Sequence, residues 1–168
     1  MESMKELYEI YERYIFRYLY GLTFNYHVAE ELTQETFFQV IKSFHRFRGD
    51  CRVSTWVYKI ARNVYSQYCR KNQLITISID GDMFDDIPYR DGPNEALEKK
   101  EKSKLIKEAF IQIPEKQREI LWLRDWHGLS YEEIASITSH SVSWVKVNIH
   151  RARLAFKKVY CKGGILGE

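Results

Sequence analysis

Apolar residues recur at three- and four-residue intervals through most of this chain. That period, more than any other feature, restricts it to helices packed on helices. Leu7, Tyr8, Tyr11, Ile15, Tyr18, Leu19 and Leu22 make one stripe, and Ala29, Leu32, Phe37, Val40, Ile41 and Phe44 a second. Trp56, Val57, Ile60, Ala61, Val64 and Tyr68 make a third. After a single long break the pattern resumes with Ala96, Leu97, Leu105, Ile106, Ala109 and Phe110, then with Ile120, Leu121 and Leu123. Only 8 glycines and 3 prolines in 168 residues leave little material for the turns of a β fold, so an all-α fold is expected.

The break is compositional. Residues 75–93 combine Gly81, Pro88, Gly92 and Pro93 with five aspartates and cannot build a core. Two small helical domains are therefore expected, 1–73 and 94–168, joined by a flexible acidic linker over 74–93. Within the first, Gly21 and Thr23–Asn25 read as a helix end, Phe47–Asp50 as a turn, and Ser54 or Thr55 as the cap of a third helix. Within the second, Pro114 marks a helix start and Gly128 a C-cap. Ser130 and Glu133 then form a capping box before Ile134, Ala135 and Ile137. A polar turn at Thr138–Ser141 leads into a long basic helix from Val142 to Val159. Helix, short turn and basic helix is the pattern of a helix-turn-helix, with a helical hairpin that merely packs as the plainer reading.

Charge follows the same division. Residues 42–71 carry Lys42, Arg46, Arg48, Arg52, Lys59, Arg62, Arg70 and Lys71 against Asp50 alone, and residues 140–162 contain six Lys or Arg and no acid. An acidic stretch over 75–101 separates them. Two basic blocks around an acidic one suggest two contacts with a polyanion, although solvated helix faces would give similar blocks.

Other classes find little support. No run approaches a membrane span, so no membrane insertion is expected. The amino-terminal residues lack an apolar signal region, and Cys51, Cys69 and Cys161 are too widely spaced for a disulfide framework or zinc site. A cytoplasmic protein with reduced thiols is expected, with no cofactor and no metal. Cys51, lying in a basic loop, is either an oxidant-sensitive thiol or an incidental small residue. His27, His45, His127 and His140 lack ligand spacing and read as surface or capping groups. No phosphate loop, HExxH or Cys–His constellation suggests an enzyme.

Four strings add a resemblance: AEELTQETFFQVIKSF (29–44), FRGDCRVSTWVYKIARNVYSQYCRK (47–71), IPEKQREILWLRDWHGLSYEEIA (113–135) and WVKVNIHRARLAFKK (144–158). In this order they resemble bacterial RNA polymerase sigma factors of the extracytoplasmic-function group. The two halves match that family's domains 2 and 4. The resemblance implies an alternative sigma factor that binds core RNA polymerase, recognises −35 and −10 promoter elements and promotes opening, without catalysis of its own. It also implies regulation by an anti-sigma factor.

Residue by residue, the resemblance assigns polymerase binding to Glu31, Gln34, Glu35 and Phe38. It assigns capture of the unpaired −10 non-template strand to Phe47, Arg48, Arg52, Lys59, Arg62 and Asn63. These are the kinds of side chain that stack bases, hold a backbone and read a base edge. Trp56, in register with Ile60 and Val64, reads as core. Lys146, Val147, His150 and Arg151 share one helix face and match positions that meet duplex −35 DNA, with Arg153 and Lys157 as phosphate anchors. Three departures bear on −35 preference: Ser139 replaces a usual turn glycine, Ser143-Trp144 replaces a small-Thr pair, and Asn148 replaces a frequent arginine. A free-standing repressor or activator with a helical dimerisation half remains the alternative binding function.

Overall fold

The structure, a computed structural model, describes residues 3–72 and 95–164; the expected linker at 74–93 lies outside them. The described residues form seven α-helices: α1 (Met4–Thr23), α2 (Tyr26–Ser43), α3 (Val53–Lys71), α4 (Glu95–Gln112), α5 (Glu115–Leu121), α6 (Tyr131–Thr138) and α7 (Val142–Gly164). A single 3-10 turn, Phe44–Arg46, follows α2. Among the described residues there is no strand, and the all-α expectation holds.

Helix α1 begins in a capping box, Ser3 with Glu6, and ends at Phe24 in the left-handed region (φ 49°), whose N–H donates to the Tyr20 carbonyl at 2.8 Å. The helix thus ends at Thr23, within the Gly21–Asn25 stretch that the sequence suggests, and runs through Gly21 itself. Gly21 has another purpose: a Cβ there would lie 2.7 Å from Trp122 Nε1. Helix α2 is capped by Asn25, whose side chain accepts from the Val28 N–H. Helix α3 starts earlier than expected, with Arg52 as N-cap and no side-chain cap bond. Thr55 is instead buried inside the helix, facing the second half of the chain. Pro114 caps α5 from just outside.

After α5 the chain widens into one π turn, Trp122–Trp126, in which the His127 N–H reaches the Trp122 carbonyl at 3.1 Å. Gly128, at φ 67°, then redirects the chain in the left-handed conformation that glycine adopts without a Cβ clash. The Ser130–Glu133 capping box forms as expected, and Ser139 takes up a left-handed φ of 57° to make the helix-turn-helix turn without glycine. Helix α7 extends beyond Val159 to Gly164.

Both halves bury apolar stripes, and one continuous core joins them. Leu19, Val40 and Val57 represent the first half in it, and Phe110, Leu123 and Ile149 the second. Among the described residues, two expected core positions are instead exposed: Ile41 by 60% and Tyr8 by 48%. Each lies at the edge of its stripe, and Tyr8 covers Phe37 edge-on at 4.9 Å between ring centres.

Candidate nucleic-acid and polymerase surfaces

The outer face of α2 is built by its own period. With Ala29, Leu32, Thr33, Thr36, Phe37 and Val40 turned inward, Glu31, Gln34, Glu35 and Phe38 stand in solvent. Glu35 Oε1 accepts from Gln39 Nε2 at 2.7 Å, and the Lys42 ammonium sits 5.3 Å from the Phe38 ring centre. Phe38 is 55% exposed and adjoins exposed Ile41, an apolar pair rimmed by charge. Such a surface suits a protein partner better than it suits solvent.

The loop before α3 is pinned by aromatic packing. Trp56 lies partly buried against the core, with Phe47 at 5.0 Å and Phe44 at 6.2 Å between ring centres. Phe47 is thus half-buried on Trp56, and Arg48, Gly49 and Asp50 turn outward beyond it. Along α3, Thr55, Tyr58, Arg62 and Tyr65 share the face turned to the second half, while Lys59 and Asn63 flank it. Asn63 is exposed, and Lys59 is half-buried. Arg52 and Arg62 reach carboxylates of the second half: Arg52 Nη1 lies 3.6 Å from Glu133 Oε1, and Arg62 Nε donates to Glu119 Oε1 at 2.9 Å.

In the helix-turn-helix, Val145, Ile149 and Ala152 hold α7 to the core, and Phe156 packs partly buried beside them. The opposite face presents Ser143, Lys146, Val147, His150, Arg151, Leu154 and Lys157, all exposed. Arg153 is differently placed. Its guanidinium donates to both Asp125 carboxylate oxygens, at 2.6 and 3.2 Å, and the pair raises the arginine's pKa through the hydrogen bond. This bidentate pair fastens α7 to the turn after α5, and a phosphate would have to displace Asp125 to engage Arg153. The first turn of α7 is capped by Ser141, which accepts from the Trp144 N–H at 3.1 Å, and the His140 and Trp144 rings lie 3.6 Å apart.

His127 is not the surface group that its spacing suggests. Its Nδ1 shares a hydrogen bond of 2.7 Å with the Tyr58 hydroxyl, and its Nε2 is buried without a partner. Burial, and then the nearby Arg17 charge, push its pKa from 6.5 down to about 4, so the ring is neutral. Glu115 and Glu119 carry no motif in the sequence, and Glu133 reads there only as the capping-box partner of Ser130. The usable signal was Arg118-Glu119 running directly into Ile120-Leu121, a charged pair where the stripe demands burial; both are less than a tenth exposed. Arg118 places its guanidinium 4.9 Å from the Phe24 ring centre.

Among the described residues no group of His, Cys, Asp or Glu is arranged to hold a metal ion, and no helix is long and apolar enough to cross a membrane. The three thiols are unpaired, and burial raises the pKa of Cys69.

Two family descriptions match the chain, Sigma-70 region 2 over residues 7–75 and Sigma-70, region 4 over 103–156. The RNA polymerase sigma factor YlaC of Bacillus subtilis is 32% identical over 160 residues, covering 94% of this chain and 91% of that one. The ECF RNA polymerase sigma factor SigM of the same organism is 30% identical over 164 residues, covering 96% and 97%. In fold, the chain is similar to the sigma factor RpoE solved with the anti-sigma factor NepR from Bartonella quintana, with a TM-score of 0.73, 20% identity and coverage of 95% and 97%. CnrH, solved with the cytosolic domain of CnrY, gives a TM-score of 0.67 at 17% identity, covering 93% and 86%.

Proposed function

Because the chain belongs to the sigma-70 family of RNA polymerase sigma factors, in its extracytoplasmic-function group, we propose how its surfaces divide the work of transcription initiation. Residues 1–73 bind core polymerase and the −10 element, and residues 94–168 bind the −35 element. The outer face of α2, with Glu31, Gln34, Glu35 and Phe38, takes the polymerase. Arg48, Arg52, Lys59 and Arg62 hold the backbone of the unpaired −10 non-template strand, Asn63 reads a base edge and Phe47 offers a stacking surface.

The observation that carries the reading is α7. It turns Lys146, Val147, His150, Arg151 and Lys157 to solvent on one face while Val145, Ile149 and Ala152 anchor the other. A helix so held can enter a major groove, with Arg151 and Lys146 pairing to guanine acceptors, Val147 touching a thymine methyl and Lys157 meeting phosphate. An anti-sigma factor covering the exposed α2 face is the further partner, supported by the similarity in fold to the sigma factor RpoE, which was solved with the anti-sigma factor NepR. The test is footprinting of the reconstituted holoenzyme. The reading requires protection of the −35 duplex and permanganate-reactive thymines near −10, both dependent on this chain.

A further inference from the structure

The turn that opens α7 holds an imidazole in one fixed orientation. His140 lies between α6 and α7, and its backbone N–H donates to the Ala135 carbonyl at 3.1 Å, tying it to α6. Its ring Nδ1 lies 2.8 Å from the Thr138 carbonyl. A carbonyl can only accept, so Nδ1 carries the proton. One face of the ring lies against the Trp144 indole, 3.6 Å between ring centres at an interplanar angle of 38°. Trp144 is itself half-buried in the first turn of α7, where its N–H donates to the Ser141 hydroxyl at 3.1 Å. Asn148, one turn further on, donates Nδ2 to the Trp144 carbonyl at 2.9 Å, so that donor is spent along the helix.

One ring nitrogen is left. Among the described residues His140 Nε2 has no hydrogen-bond partner, and unlike His127 Nε2 it reaches solvent. Burial, then the Arg62 and Lys116 charges, lower the pKa of His140 below 6.5, with Glu119 opposing them, so the ring is neutral in mildly alkaline solution. In a neutral ring protonated at Nδ1, Nε2 is an acceptor and nothing else. The exposed face of α7 offers mainly donors, from Lys146, Arg151 and Lys157, so an acceptor at its entry is chemically distinct. In the major groove the base edges offer donors at only two places, N4 of cytosine and N6 of adenine; guanine and thymine offer acceptors there.

The amino-terminal residues of a recognition helix are the ones that meet base edges. Resting on the −35 assignment of α7, we infer that His140 is a specificity-determining residue outside the recognition helix. Its Nε2 accepts a hydrogen bond from the exocyclic amine of one adenine or cytosine in the −35 duplex, and Trp144 is the positioning residue that holds the ring for it. The Thr138 carbonyl sets the tautomer and the indole sets the plane, so little side-chain freedom is lost on binding. Lys146 and Arg151, further along the same helix, were assigned above to guanine acceptors. The two ends of the face therefore select opposite kinds of base edge.

The experiment uses holoenzyme made from core polymerase and the full chain, in mildly alkaline buffer, with duplex promoters randomised over the −35 element. Sequences selected by the parent should favour adenine or cytosine at one position. His140→Phe, which keeps a flat ring against Trp144, should lower that preference about fivefold and leave the other positions unchanged. Trp144→Ala should lose the same preference, and Trp144→Phe should keep it. Purine in place of that adenine, or pyrimidin-2-one in place of that cytosine, removes the amine alone. It should weaken binding by the parent about fivefold and by the His140→Phe holoenzyme not at all. Placed in turn at each adenine and cytosine of the selected −35 element, the analogues also test the unaltered chain, and no loss at any of them overturns the contact. Unchanged preferences in His140→Phe overturn it too, as does amine removal that costs both proteins alike. A loss uniform across the promoters, with parent binding tightening on mild acidification, overturns base reading and makes protonated His140 a phosphate contact. Retention of the preference by Trp144→Ala overturns the positioning role. Failure of the −35 assignment itself reads differently, as a parent holoenzyme that selects no −35 sequence.

Discussion

Arg62 Nε and Glu119 Oε1 lie 2.9 Å apart, across the seam between the half assigned to the −10 element and the half assigned to the −35 element. Asn63, the next residue, is exposed. Adjacent side chains on one helix thus divide between an internal bond and a surface free to meet a base. Asn63→Ala should leave folding unchanged, slow open-complex formation on duplex promoters and do less harm on a pre-melted bubble. Permanganate footprinting on both templates checks this; equal impairment would make Asn63 a general contact.

Polymerase binding should depend on the outer face of α2 and not on its core. Gln34→Ala with Glu35→Ala, both exposed positions, should reduce capture by core polymerase while circular dichroism stays as in the parent. Unchanged capture removes this face from the interface.

Along α7, two exposed cations should give distinguishable signatures. Arg151→Ala should cost about 1–3 kcal/mol at its preferred base pair and flatten discrimination there. Lys157→Ala should weaken all promoters alike and lower the salt dependence by about one charge. Holoenzyme binding across −35 variants at several salt concentrations separates them. A uniform loss from Arg151→Ala would make it a phosphate contact.

His127 gives a pH dependence whose sign is set by its neutral, buried state. Its folded pKa of about 4 lies below the ordinary 6.5, so its contribution is complete above 6.5 and is lost as pH falls from there towards 4. The slope is at most about 1.4 kcal/mol per pH unit. Protonation would place a charge among the Tyr58 and Tyr18 rings and beside Arg17. Urea midpoints of the parent should fall more steeply over that range than those of His127→Gln; parallel curves would contradict the assignment.

What was legible in the sequence was whatever has a local cause. The apolar period gave the helices, Ser130 with Glu133 gave the entry to the helix-turn-helix, and the acid-free stretch after Ser141 gave its basic helix. What was not legible depends on partners distant along the chain. Gly21 reads locally as part of a helix end and is also the gap that admits Trp122, about a hundred positions away. Glu119 reads as an ordinary helix acid until Tyr18 and Arg62 close on it. Arg153 belongs to a basic run by composition, yet Asp125 claims it. Phe47, by contrast, was placed correctly in the loop, although its packing on Trp56 depends on how α3 enters.

The most direct measurement is in vitro transcription of fragmented genomic DNA by core RNA polymerase with and without the purified chain, followed by start-site mapping. The expected result is a small set of chain-dependent starts sharing paired −35 and −10 sequences, lost with Gln34→Ala/Glu35→Ala and redistributed by Arg151→Ala. Start sites identical with and without the chain would contradict a role in promoter selection.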